Sequence, residues 1–127
     1  MAKWLLVALA VPALVLFVRS RAAGTGALSP TEAASLIKKT KDLQLIDVRT
    51  PGEYAGGHLA GAKLIPVQEL GERLSEIDPK KPVLLYCRTG NRSGHARKLL
   101  EEHGFSGAQH LEGGIVAWQA AGLPVTK

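Results

Sequence analysis

The sequence predicts an α/β fold: a single domain with a central parallel sheet flanked by helices. Two observations predict it. Short apolar runs rich in Val, Ile, Leu and Tyr alternate along the chain with segments whose apolar residues recur at helical spacing, the pattern of strands joined by crossover helices. The 127 residues suit one domain of ordinary size, and no internal repeat or low-complexity tract interrupts the alternation.

The chain opens with an unbroken apolar run, Trp4 to Val18, preceded by Lys3 and followed by Arg19 and Arg21. As a helix it would span about 22 Å, against a hydrocarbon core of about 30 Å. Two readings compete: a secretory signal, or a short membrane anchor whose Lys3 and Arg19 snorkel to the interfaces. Charges directly after the run are unusual for a cleaved signal, so residues 1–21 are read as an anchor. The Lys/Arg asymmetry then places the catalytic domain on the cytoplasmic side. The alternative is export, with cleavage near Ala22 or Ala27 leaving a periplasmic or secreted domain. Residues 22–27, small and Gly-containing, read as a linker, and residues 28–127 as the folded domain.

Within that domain Ser29-Pro30-Thr31-Glu32 supplies an N-cap, a first-turn proline and a capping-box Glu, with Ala33, Leu36 and Ile37 facing the core. Leu43 to Val48 reads as a strand with Asp47 near its C-terminal end, where sites form in open α/β sheets. Asp47 is first a structural acceptor or a partner for Arg49, and second an acid/base candidate. Thr50 caps a short helix, in which Glu53 is expected to pair with Arg49. Ala62 to Val67 reads as a short strand and Gln68 to Ile77 as one amphipathic helix burying Leu70, Leu74 and Ile77. Asp78 to Pro82 is a turn. Ala108 to Leu111 is the last strand. Gly113 and Gly114 permit close approach to a neighbouring loop, and Ile115 to Ala121 is a terminal helix with Trp118 in the core.

The stretch that carries chemistry lies between. Val83 to Tyr86 reads as a buried strand and Ser93 to His103 as a helix stopped by Gly104. The joining loop, Cys87-Arg88-Thr89-Gly90-Asn91-Arg92-Ser93, opens with the only cysteine of the chain. Such a loop aims backbone N–H groups into one hollow at a helix N-terminus. A thiol there has a lowered pKa, with Arg88 and Arg92 acting in the same direction and attracting an anion. Gly90 supplies backbone freedom. Left alone, a cysteine at a strand end is a small buried hydrophobe; its setting shifts the reading to a reactive thiolate.

This loop resembles the active-site loop of the rhodanese (sulfurtransferase) family. Leu45 to Tyr54 with Gly57 to Pro66 is similar to the family's first signature, and Leu111 to Trp118 with Gly122 to Val125 to its last. The resemblance covers about residues 28–125, with the three motifs in order. It implies Cys87 as sulfur carrier through a persulfide, and a structural role for His58.

Composition bounds the rest. One cysteine excludes an internal disulfide and a Cys-rich metal site. The four histidines, His58, His95, His103 and His110, show no metal-ligand spacing, so neither metal nor other cofactor is expected. The net charge is +5. From residue 28 onward 13 basic residues face 11 acidic ones with no basic stripe, which argues against nucleic acid as a partner.

The reading is therefore a sulfurtransferase, expected as a monomeric catalytic domain. Cys87 is the nucleophile and the loop Arg88, Thr89, Gly90, Asn91, Arg92 and Ser93 binds substrate, with Asp47, Arg49 and His58 in support. A small anionic donor such as thiosulfate would load Cys87, and cyanide or a thiol would accept the sulfur. One rival is a non-catalytic sulfur-binding or regulatory module, disfavoured by the retained cysteine. Another is a phosphatase of the same fold, whose motif has five residues between Cys and Arg where this loop has four.

Overall fold

The computed structural model describes residues 26–127. In order they form β1 (Ala27–Leu28), α1 (Pro30–Lys39), β2 (Gln44–Asp47), α2 (Pro51–Ala55), β3 (Lys63–Leu64), α3 (Val67–Leu70), a 3-10 turn (Leu74–Glu76), β4 (Val83–Tyr86), α4 (Asn91–Glu102), β5 (Ala108–Leu111) and α5 (Gly114–Ala120). The strands make one five-stranded sheet in the order β1-β5-β4-β2-β3, and every pairing is parallel. The α/β class with a central parallel sheet flanked by helices is as the sequence predicts. The run Trp4 to Val18 lies outside the described residues. Among the described residues no helix is long and apolar enough to cross a membrane.

Strand β4 sits at the centre and is buried along its whole length. Side chains alternate across a strand, so Val83, Leu85 and Cys87 enter one core with Ile46, Ile65, Leu70, Ala96 and Leu100. Leu84 and Tyr86 enter the other, with Ala33, Leu59, Ile115 and Trp118. Both faces of the sheet are thus covered, as a parallel sheet requires. At the centre β2 and β4 lie side by side, with Asp47 level with Tyr86. The chain leaves β2 toward β3 at one edge and leaves β4 toward β5 on the other side. Their carboxyl ends therefore bound the crevice where α/β sheets place ligands.

Local signals explain most element boundaries. Ser29 and Glu32 close a capping box on α1, and Thr50 and Glu53 close one on α2. Three expectations are corrected. Gln68 to Ile77 is not one helix: α3 ends at Leu70, Gly71 follows, and a 3-10 turn completes the segment. Gly71 has no side chain to favour continuation, while Arg73 bonds both Glu69 and Glu76 across the break. Leu70 and Ile77 are nevertheless buried as expected. Helix α4 begins at Asn91, two residues before Ser93. Ala27, read as the end of the linker, instead pairs with His110 as the first residue of β1.

Candidate active site

Cys87 follows the last residue of β4 and is 1% exposed. Its Sγ accepts the N–H of Gly90 at 3.1 Å and of Ser93 at 3.4 Å, and lies 3.5 Å from Ser93 Oγ. The reason is local. The N-cap of α4 is Gly90, whose φ of 108° belongs to the left-handed region and which has no side chain to cap the helix. The first-turn N–H groups of a helix need an acceptor. Here the sulfur supplies it, taking the N–H of the third helical residue, where a capping Ser or Asp would normally bond. Burial pushes the thiol pKa up. The Ser93 hydroxyl and the N–H groups of Ser93, Gly90 and Thr89 outweigh it, and the thiol is held below its ordinary value. Hydrogen bonds rather than neighbouring charge dominate that balance.

The loop is held from outside by the start of α5. Ile115 N–H donates to the Cys87 carbonyl at 2.9 Å and Val116 N–H to the Arg88 carbonyl at 3.1 Å. Holding these carbonyls outward leaves the following N–H groups turned inward toward sulfur. The contact needs glycine. A Cβ on Gly114, where φ is 63°, would lie 2.3 Å from the Arg88 carbonyl oxygen. The close approach expected of Gly113 and Gly114 is made here.

The two arginines of the loop separate. Arg92 forks onto Glu53 at 2.7 and 3.0 Å, tying α4 to α2 across the crevice. The Arg92 guanidinium holds the Glu53 carboxyl down at about 2. The expected Arg49–Glu53 pair does not form; Arg49 turns inward instead. It grips Asp47 through Nε and Nη2, the shortest contact 2.7 Å, and donates to the Gly57 carbonyl at 2.7 Å. Asp47 and Arg49 are 0% and 5% exposed, and a buried charge persists only when paired and hydrogen-bonded in this way. Asp47 also accepts the Arg49 backbone N–H. With its carboxylate so occupied, Asp47 acts as a structural acceptor. Arg88 is exposed and carries no ion pair among the described residues. Thr89 and Asn91 are exposed beside it.

His58 stands apart from the sulfur. Its ring stacks on Tyr54 at 3.7 Å, its Nδ1 donates to the Tyr54 carbonyl at 2.8 Å, and its backbone bridges Thr126. It orders the turn beneath the Arg49–Gly57 contact. A cleft of about 300 Å³ opens between α2 and α5, bounded by Arg49, Glu53, Arg88 and Val116; it shares Arg88 with the loop. Among the described residues no cluster of His, Cys, Asp or Glu is placed to hold a metal ion.

One residue at the site was not singled out from sequence. His110 Nδ1 lies 2.9 Å from Ser93 Oγ. The signal was the two-residue alternation of β5, which sets His110 on the same face as Ala108, toward α4. Its register partner on β4 is Leu85, two residues before Cys87.

A strand, a tight sulfur-capped loop and a helix at the crevice of a parallel sheet have counterparts elsewhere. Residues 29–121 match the family model of the rhodanese-like domain. The chain is 47% identical over 75 residues to the uncharacterised protein YqhL of Bacillus subtilis, covering 59% of this chain and spanning 60% of the length of that one. It is 37% identical over 93 residues to the thiosulfate sulfurtransferase GlpE of Coxiella burnetii, covering 73% of this chain and 86% of that one. The crystal structure of a rhodanese-related protein from Thermoplasma volcanium superposes with a TM-score of 0.72 at 31% identity, over 79% of this chain and 96% of that chain. The family match over residues 29–121 includes the residues that build the loop, the crevice and the strut from α5, and the chain belongs to the rhodanese-like domain family.

Proposed function

We propose that the domain is a sulfurtransferase working through a Cys87 persulfide. The Cys87 thiolate attacks the outer sulfur of a small anionic donor such as thiosulfate. The donor's S–S bond breaks, sulfite departs with the bonding pair, and Cys87 carries the sulfur as an anionic persulfide. Cyanide or a thiolate then attacks the terminal sulfur, and the Cys87 thiolate is released. The two-step covalent route predicts ping-pong kinetics. One observation carries this reading: a buried sulfur ringed by N–H donors from Gly90 and Ser93, a preorganised site for negative charge on sulfur. The backbone from Arg88 to Ser93 is the cradle, and Arg88, which carries no ion pair among the described residues, draws the anionic donor. Asp47, Arg49 and His58 hold the neighbouring turn. The Arg92 fork is committed to Glu53, which leaves it poorly placed to grip three phosphoryl oxygens and disfavours a phosphatase.

The test is the mass of the intact protein after treatment with thiosulfate. The expected result is one added sulfur atom, removed by cyanide, and none in Cys87→Ser. A Cys87→Ser protein that still gains sulfur, or a native protein that never does, overturns the mechanism.

A further inference from the structure

We propose that His110 is a positioning residue for the Cys87 thiolate: its Nδ1–H donates to Ser93 Oγ, and this leaves the Ser93 hydroxyl proton uncontested for Sγ and strengthens that hydrogen bond. The inference rests on Cys87 reacting as a thiolate, as the sulfur-transfer reading requires.

Ser93 is fully buried and its hydroxyl has one proton to give. Three polar groups surround it: the Gly90 carbonyl at 3.3 Å, His110 Nδ1 at 2.9 Å, whose role depends on its tautomer, and Cys87 Sγ at 3.5 Å, a donor as a thiol and an acceptor as a thiolate. The Gly90 carbonyl already accepts the Gly94 N–H at 3.0 Å. If His110 Nδ1 held a lone pair, this shortest contact would take the Ser93 proton, and the sulfur would keep only backbone donors. If Nδ1 carries the proton, it satisfies one lone pair of Ser93 Oγ, and the hydroxyl turns to the remaining needy acceptor. A buried charged acceptor gains more from a hydrogen bond than a neutral carbonyl does. The thiolate therefore selects the Nδ1–H tautomer.

The setting keeps His110 neutral, which suits a donor chosen by tautomer rather than by charge. Burial lowers its pKa most; Arg97 on α4 lowers it further, and Glu112, just past β5, opposes. On the other side His110 N–H donates to the carbonyl of Gly26, just before β1. Around the sulfur the charged groups are Arg88, the Arg92–Glu53 pair and, behind it, Asp47 with Arg49. All of these remain unchanged when His110 alone is replaced. His110 itself is two links from the sulfur, so its effect passes through Ser93.

The experiment follows the pH dependence of Cys87 alkylation by iodoacetamide in the full chain, with no sulfur donor present. His110→Ala is expected to raise the midpoint by about 0.3 pH unit: the Ser93 hydroxyl stays on the sulfur, but the donor that polarises it, and with it the cooperative strengthening of one charge-assisted hydrogen bond, is lost. His110→Asn, whose side-chain amide can donate from a similar position, is expected to restore it. In a Ser93→Ala background, His110→Ala is expected to change nothing further. A His110→Ala shift of equal size in both backgrounds, no shift in either, or no rescue by Asn overturns the proposal. Should a variant fail to fold, long-range ¹H–¹⁵N spectra of the native protein at alkaline pH decide. There Cys87 is thiolate and His110 neutral; an Nδ1–H tautomer is expected, and an Nε2–H tautomer overturns the proposal. Because alkylation needs no sulfur donor, a protein that fails to load thiosulfate sulfur but shows these shifts loses the sulfur-transfer reading and keeps this one.

Discussion

At the scale of single residues the proposed chemistry turns on how a buried sulfur becomes charged. Burial works against the thiolate, and hydrogen bonds from the Ser93 hydroxyl and from the N–H groups of Ser93, Gly90 and Thr89 overcome it. Because the pKa is lowered, the thiolate persists as pH falls below the ordinary thiol value of about 8.5. The midpoint of Cys87 alkylation is expected below that value, and a midpoint at or above it would contradict the hydrogen-bonding account. The same geometry limits what reaches the sulfur. Cys87 is 1% exposed, so the approach to it is narrow. Among the described residues Arg88 carries no ion pair, while Arg92 is paired with Glu53.

At the scale of elements, the loop is shaped by its neighbours as much as by its own residues. The first turn of α5 holds the Cys87 and Arg88 carbonyls outward, and only Gly114 allows that approach. Gly114→Ala forces a left-handed φ on a side-chain-bearing residue and drives Cβ into the Arg88 carbonyl. It is expected to destabilise the domain by at least about 1–3 kcal/mol, read by urea denaturation, and to raise the alkylation midpoint as the loop tilts. Gly71→Ala, at an ordinary helical φ of −60° with open space around it, is the control and is expected to do neither.

The second brace, Glu53 to Arg92, joins α2 to α4. Glu53 titrates near 2 in the fold against an ordinary 4.5. A lowered folded pKa stabilises above the unfolded value and is lost as pH falls through the folded one. The pair's contribution is therefore complete above about pH 4.5 and lost between there and about 2. The side chains are 35% and 27% exposed, so salt weakens it. Denaturation midpoints of Glu53→Gln are expected to lack the part of the acid dependence that the native chain shows over this window. Parallel acid profiles for the two proteins would refute that role.

At the scale of the whole molecule, the domain folds around β4, whose alternating side chains feed both cores and whose end delivers Cys87 to the crevice between diverging chain paths. Upstream of it, we propose that the run Trp4 to Val18 tethers the domain to a membrane, with the catalytic domain facing the cytoplasm. The run is free of charge and flanked by Lys3, Arg19 and Arg21. The native protein is expected to keep its N-terminus and to resist carbonate extraction. A mature chain starting after residue 21 that washes off in carbonate would establish export instead.

Much of this was legible in the chain itself, because the relevant physics is local. The apolar run Val83 to Tyr86, the Ser29–Glu32 capping box, and a cysteine between a strand and a helix each depend on residues a few positions apart. The need for glycine at 113 is local too, since a Cβ there would meet Ala117, whereas at 114 it is set by the distant Arg88 carbonyl. What the sequence left open involves partners far apart along the chain. Arg49 had two carboxylates within reach, Asp47 and Glu53; burial beside Tyr86 and the Gly57 carbonyl drew it to Asp47, and Arg92, 39 residues from Glu53, took the other. His110 read as an unremarked strand residue until the register of β5 on β4 set its ring against Ser93. Local preference writes the elements into the sequence, whereas the pairing of charges and the neighbours of a buried hydroxyl are decided only when packing removes water and leaves each polar group to find its partner across the fold.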